Sequence, residues 1–413
     1  MTGGDEAISE DLAALAAEAG VLTSYVDHDE VLRPAKRDVV LDVLEALGYG
    51  GAATDPRATR EELVASRSRS LVDPVVVVES GADRQVEVRL GARVEVLACA
   101  LELESGEVLE WKARPDRTGE GGNDVVTLPV ALEPGYHALT VRTSAREDCA
   151  VVLCRPVLGA RGRYDDAWRA VGVAAPLFTL HSDRSWGCGD LTDLDALAAA
   201  TAEHGVSVVS TLPLLSGLGP EHFEASPYLP LSRQFWHERW IDVDAVPGLR
   251  ASARASALAD EARRALRVAA AQSHPYVDGA ASLAAKRAVL SVLADELDEG
   301  SGSRRGELAA YLDDRPGVTD YARFRAAGER YGPQWRDWPA RLRGGDVGPN
   351  DVGASTVRFF EFGQWLVQEQ LRAVAERCER RGQVLSLDLP LGVHACGYDI
   401  WRHPGQFIGG VSV

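Results

Sequence analysis

The chain has 413 residues, of which 46% are apolar and 26% charged, a composition typical of a soluble globular protein of two or three domains. Its formal charge of −18 argues against nucleic acid, whose phosphates would be repelled. No run approaches the ~18 apolar residues of a membrane span, and the acidic start "MTGGDEAISEDL" has no apolar signal core, so a cytoplasmic protein is expected.

Residues 8 to 48 read as helical. "SEDLAALAAEAG" offers Ser9 as an N-cap and Gly20 as a stop. In "PAKRDVVLDVLEALGYG", Val39, Val40, Val43, Leu44 and Leu47 recur near a 3.6 period before Gly48. "DPRATREELVASRSRS" reads as a helical linker, and residues 1–70 form an N-terminal helical unit.

From residue 71 to 157 the period changes to two. "PVVVVES", "RQVEVRL", "RVEVLACALEL", "VLEWKARP", "VVTLPVAL", "YHALTVRT" and "CAVVLCRP" are short strands separated by Gly, Asp and Pro, the pattern of a β-sandwich. It is either a spacer or a carbohydrate-binding module working through Trp111 or Tyr136.

The remainder, 158–413, changes character again. "AAPLFTL" reads as an apolar strand, "DLDALAAATAEHG" as a helix, and "VSVVSTLPLL" as a second buried strand, which together make a right-handed β-α-β unit. A long loop follows with Phe223, Tyr228, Phe235, Trp236 and Trp240, and a loop of that length carries function or local structure. Residues of about 250–345 form a helical insertion. "TVRFFEFGQWLVQEQLRAVAERCERR" is a long helix with Phe359, Phe362, Leu366, Glu369 and Val374 on one face, and "QVLSLDLPLGV" is a third strand. Periodicity fits a doubly wound sheet or a TIM barrel equally.

In such folds chemistry gathers at the C-terminal ends of the strands. Those ends hold Asp183, Arg184, Trp186 and Asp190, then the "SPY" loop, then Asp388, His394 and Asp399. Asp388 stands out because it follows Leu385 and Leu387 on a buried strand, where a charge must be paired or functional. Trp186 and Tyr228 read as stacking walls for sugar rings or, equally, as core filling. "WGCGD" lacks the third glycine of a dinucleotide site, and no P-loop, G-x-S-x-G or H-E-x-x-H segment occurs. The six cysteines form no C-x-x-C pair and no histidine pair has zinc-like spacing, so neither disulfides nor a metal is expected.

Three stretches, "PLFTLHSDRSWGCGDLTDL", "LPLLSGLGPEHFEASPYLPLSRQFWHERWIDV" and "LSLDLPLGVHACGYDIWRHPGQFIGGVSV", resemble the amylomaltases, the 4-α-glucanotransferases of glycoside hydrolase family 77. "DYARFRAAGERYGPQWRDWP" is similar to the same family, and residues 1–157 resemble the N-terminal extension of its long actinobacterial-type members. The resemblance implies a multidomain protein: N-terminal helices, an all-β sandwich, and strands one to three of an α/β TIM barrel with a helical insertion. It implies transfer of α-1,4-glucan segments between maltooligosaccharides by a retaining double displacement without cofactor, and it carries substrate contact onto Trp186, Asp190, Ser226, Pro227, Tyr228 and Asp388.

That chemistry requires two carboxylates about 5 Å apart. The family places them in an "R-x-D-H" segment after strand four and an "E-D-L-G" segment after strand five, and neither segment occurs in this sequence. The final "GGVSV" reads as the lead-in to strand four. The expectation is therefore a chain that stops before strands four to eight, has no catalytic residue of its own, and is inactive alone unless a second chain completes the barrel. The alternative is a non-catalytic glucan-binding or regulatory remnant. Incubation of the 413-residue chain with maltotriose is expected to release no glucose and form no longer maltodextrins; clear disproportionation contradicts the assignment.

Overall fold

A computed structural model describes residues 7–81, 84–90, 96–116, 124–156, 170–272 and 277–407. They fall into two compact units, one up to Pro156 and one from Ala170. The expected boundary at 157/158 and the terminal "GGVSV" lie outside the described residues.

The first unit opens with helix α1 (Glu10–Glu18), whose first turn is closed by the Ser9 hydroxyl accepting the Leu12 amide at 3.3 Å. Strands β1 (Ser24–Val26) and β2 (Leu32–Pro34) then pair antiparallel before helix α2 (Arg37–Ala46). The helical reading of 8–48 thus holds for its two segments, α1 and α2, and fails between them. Asp27 is the cause: one carboxylate oxygen accepts the amides of Asp29 and Val31, and the other accepts from Arg33, which fixes a turn where a helix would have continued. Helix α3 (Pro56–Arg69), capped by Asp55, takes the place of the linker. Leu12, Leu15, Val40, Leu44 and Leu63 form the core of these helices.

Each of the seven stretches expected as strands overlaps one: β3 (Val75–Glu79), β4 (Gln85–Val88), β5 (Leu97–Glu102), β6 (Val108–Ala113), β7 (Asp124–Thr127), β8 (Gly135–Arg142) and β9 (Glu147–Arg155). A five-stranded sheet runs β3-β9-β8-β5-β6, and β4 pairs with β7. Alternation buries Val86 and Val88 on β4, Leu97 and Leu101 on β5, Leu139 and Val141 on β8, and Val152 on β9. Of the two aromatics considered for carbohydrate, Trp111 is half-buried against this core and Tyr136 is exposed.

The second unit begins with β10 (Gly172–Ala174), followed by a 3-10 turn over Leu177–Thr179. The strand expected over "AAPLFTL" is therefore displaced toward the N-terminus, because Pro176 has no amide for a ladder. Helix α4 (Leu191–Ala202) leads to β11 (Val208–Thr211). The long loop contains its own hairpin, β12 (Leu215–Ser216) against β13 (Ser232–Trp236).

The insertion is helical as expected: α5 (Ala253–Gln272), α6 (Gly279–Glu299), α7 (Ser303–Asp314), α8 (Gly317–Tyr331) and the short α9 (Ala340–Arg343). Helix α10 (Ala354–Arg380) returns the chain to β14 (Val384–Leu387), and α11 (Tyr398–Arg402) follows. Strands β10, β11 and β14 form one parallel sheet in that order, with Val173, Val209 and Leu385 aligned. Phe359, Phe362, Leu366 and Val374 are buried on α10, but Glu369 lies outside that face and holds Arg304 through two bonds of 2.7 Å. No described helix is long and apolar enough to cross a membrane.

Polar side chains fix the segment between β13 and α5. Gln364 of α10 bonds both the amide and the carbonyl of Trp236, and Gln370 does the same at Asp242. The buried Lys286 ammonium donates to the carbonyls of Arg239 and Ile241 at 2.7 and 2.9 Å. Glu238 is buried against Arg325, whose guanidinium also donates to the Tyr321 hydroxyl. Burial alone would raise the Glu238 carboxyl, but Arg325 and His237 hold it well below its ordinary range. Burial holds the adjacent His237 imidazole below its usual 6.5, against the pull of Glu238.

Both groups bind protons less readily folded than unfolded, so their stabilisation is present at neutral pH and is lost as pH falls, first below 6.5 through His237 and then below 4.5 through Glu238. The thermal midpoint is expected to drop as pH is lowered from 6.5 to about 5, and His237→Gln should flatten that segment of the profile. A wild-type midpoint that rises or stays level across it contradicts this account.

Candidate functional site

The C-terminal ends of β10, β11 and β14 open into a cleft of about 270 Å³, bordered by Ala174, Pro176, Ser210, Thr211, Ser386 and Asp388. Thr211 braces its floor. Its hydroxyl accepts the Leu177 amide at 3.0 Å and its carbonyl accepts the Asp388 amide at 3.3 Å. The parallel register brings these positions together from three distant parts of the sequence.

Asp388 is exposed rather than buried; it follows the last residue of β14, the outer strand of the described sheet. It therefore stands at the strand end as expected, but carries no charge into a buried strand. One Asp388 oxygen accepts from the Tyr228 hydroxyl at 3.0 Å, and that bond raises the Tyr228 phenol above its ordinary value. Tyr228 comes from the loop joining β12 to β13. It is 46% exposed, whereas Phe235, Trp236 and Trp240 of the same stretch are buried or nearly so. Ser226 is exposed, with its hydroxyl accepting the Tyr228 amide at 3.4 Å, and Pro227 is half-buried between them. Four of the six expected contact residues, Ser226, Pro227, Tyr228 and Asp388, thus lie around the strand ends.

The other two do not present themselves to a ligand. Trp186 is 0% exposed, covered by the Arg263 guanidinium and bonded through its indole N–H to Asp244 at 3.4 Å. Asp190, also 0% exposed, caps α4 by accepting the Thr192 and Asp193 amides and takes two bonds from Arg184, at 3.0 and 2.5 Å. Arg184 also reaches Asp193 and Asp242. Burial works against the Arg184 charge, but Asp190 and the other two carboxylates keep it firmly protonated. The glycines of "WGCGD" belong to the same knot. Gly187 has φ of +81°, and a side chain at Gly189 would run into the Leu177 carbonyl. This motif is a structural clasp. Asp242, its third carboxylate, lies far along the chain and gave no local sign of that role.

His394 is likewise structural, accepting the Cys396 amide at 3.1 Å and facing Glu224 at 3.4 Å. Asp399 is buried against Ser232 and Arg233. A larger cavity of about 690 Å³ lies between the 218–222 loop, α6 and α8, and is lined by none of the strand ends. Its cations Arg287 and Arg325 are already paired with Glu329 and Glu238, so the exposed carboxylate and phenol at the strand ends remain the stronger candidate. No described group of His, Cys, Asp and Glu is arranged to hold a metal ion.

Residues 175–413 match the family model for 4-alpha-glucanotransferase, and residues 71–154 match that of the MalQ N-terminal beta sandwich domain. The chain is 30% identical to the 4-alpha-glucanotransferase of Mycobacterium tuberculosis, over 98% of this chain and 58% of that protein. It is 24% identical to the 4-alpha-glucanotransferase of Haemophilus influenzae, over 70% of this chain and 44% of that protein. The crystal structure of amylomaltase from Corynebacterium glutamicum superposes with a TM-score of 0.74 at 24% identity, covering 95% of this chain and 56% of that one. The chain therefore spans a little over half the length of the mycobacterial relative.

Asp190→Ala should lower stability by about 1–2 kcal/mol, because it uncaps α4 and removes one of the three carboxylates that hold Arg184. The urea midpoint measures this, and a midpoint equal to that of the wild type contradicts the structural role given to Asp190.

Proposed function

We propose that this chain, which belongs to the 4-alpha-glucanotransferase family, holds α-1,4-linked glucan at the strand ends of a partial TIM barrel. The observation that carries the reading is the exposed Tyr228–Asp388 pair beside the cleft. A carboxylate accepts sugar hydroxyls through charge-assisted bonds, and a phenol ring offers a flat apolar face with a polar tip. Asp388 spends one oxygen on Tyr228, and no described group bonds the other. Glucan hydroxyls are its natural partners.

The transfer reaction needs a nucleophilic carboxylate and an acid on opposite sides of the scissile bond. The described strand-end cleft is lined by one carboxylate, Asp388, and a second reading is that this unit holds glucan without turning it over. In the first reading further strands supply the carboxylates, and a second chain completing the barrel would pair at the open edge of β14. Just after that strand Leu389 and Leu391 are 63% and 89% exposed. The six free thiols fit a reducing cytoplasm.

Calorimetry with maltoheptaose tests the shared premise. Wild-type chain should bind, and Tyr228→Ala should weaken binding on the order of tenfold through the lost hydroxyl and ring. Equal affinity of the two proteins removes Tyr228 from the site, and no binding by either removes the reading.

A further inference from the structure

The two loops that carry Tyr228 and Asp388 are stitched together by further bonds beyond the pair itself. Asp399, in the first turn of α11, is buried; one oxygen accepts the Ser232 hydroxyl at 2.5 Å and the other the Arg233 amide at 2.9 Å. Ser232 is itself buried, and its hydroxyl oxygen also accepts the Gln234 amide at 3.0 Å. This fixes the start of β13, only four residues after Tyr228.

From that anchored backbone the Arg233 side chain reaches back to the carbonyls of Pro390 and Leu391, at 3.5 and 3.4 Å, two and three residues after Asp388. The His394 amide donates to the Pro230 carbonyl at 2.8 Å. A side-chain carbon at Gly397 would come within 2.5 Å of the Leu231 carbonyl, so the chain must pass there without one. Tyr228 and Asp388 are thus the open end of a closed circuit: β13, the 388–397 loop, and α11 returning to β13.

A buried carboxylate with no cationic partner across it costs free energy unless its acceptors are fully used. Asp399 uses both oxygens on this strand and contributes nothing to the cleft directly. We infer that Asp399 is a positioning residue that sets the Tyr228–Asp388 pair, acting through Ser232 and the Arg233 guanidinium. As a statement about glucan binding, this rests on the reading given under Proposed function; the placement of the pair can be measured without glucan.

The test uses the full chain labelled with 3-fluorotyrosine and ¹⁹F NMR. Tyr228→Phe identifies the Tyr228 resonance by its loss, and Asp388→Asn marks the shift that follows loss of the carboxylate partner. Arg233→Met removes an exposed guanidinium and keeps the stem, while Asp399→Ala removes the anchor. Both are expected to move the Tyr228 resonance toward its position in Asp388→Asn. Tyr398→Phe, which deletes the bond from the neighbouring residue of α11 to Asp320, should leave it in place. A Tyr228 resonance unmoved by Arg233→Met overturns the inference, even if Asp399→Ala does not fold.

Maltoheptaose titration separates this from the parent reading. If wild type binds, Arg233→Met should cut affinity about threefold to tenfold, and adding Tyr228→Phe should then cost little more. If wild type does not bind, glucan recognition fails while the NMR result still decides the positioning role.

Discussion

Everything at the candidate site depends on the parallel pairing of β14 with β11. Parallel strands cannot be joined by a tight turn; each needs a crossover. Here the first crossover is the single helix α4. The second spans the whole hairpin and helical insertion before α10 brings the chain back into register. Only that register puts Asp388 beside Thr211 and within reach of Tyr228. If β14 slipped by one residue, its side chains would exchange faces and Asp388 would leave the cleft.

The buried polar groups of the second unit serve that return. Gln364 and Gln370 offer the 236–242 segment the hydrogen bonds a neighbouring strand would have given, and Lys286 satisfies two more of its carbonyls. The Arg184 clasp ties the loop after β10 to the start of α4 and to Asp242. These groups are costly to bury and tolerable only when fully partnered. They hold irregular backbone that no sheet or helix can satisfy, and irregular backbone is what the strand-end loops are made of.

How much was legible follows from the range of the interactions. The seven sandwich stretches showed themselves because alternation is local, and the helices of the insertion because their periodicity is local too. The β1–β2 hairpin was missed because a single Asp27 overrode helical spacing on both sides. The strand expected over 174–180 shares only Ala174 with β10, because apolar character continued through Pro176 into a turn. Tyr228 and Asp388 were recognisable by motif, but their contact was not, since 160 residues separate them. Trp186 and Asp190 belong to an equally clear motif, but both are buried, which the motif itself does not show.

Local sequence is enough to set the order of the three architectures, a sandwich before a β/α region, and the family to which that region belongs. Each of these is written in periodicity or in contiguous motifs. The tertiary structure alone decided which motif residues face solvent and which carboxylates are spent on arginines and helix caps. It also decided that one tyrosine of the aromatic loop meets one aspartate of the third strand. Those outcomes depend on burial and on pairing between segments distant in the chain, and neither quantity has a signature in a local run of residues.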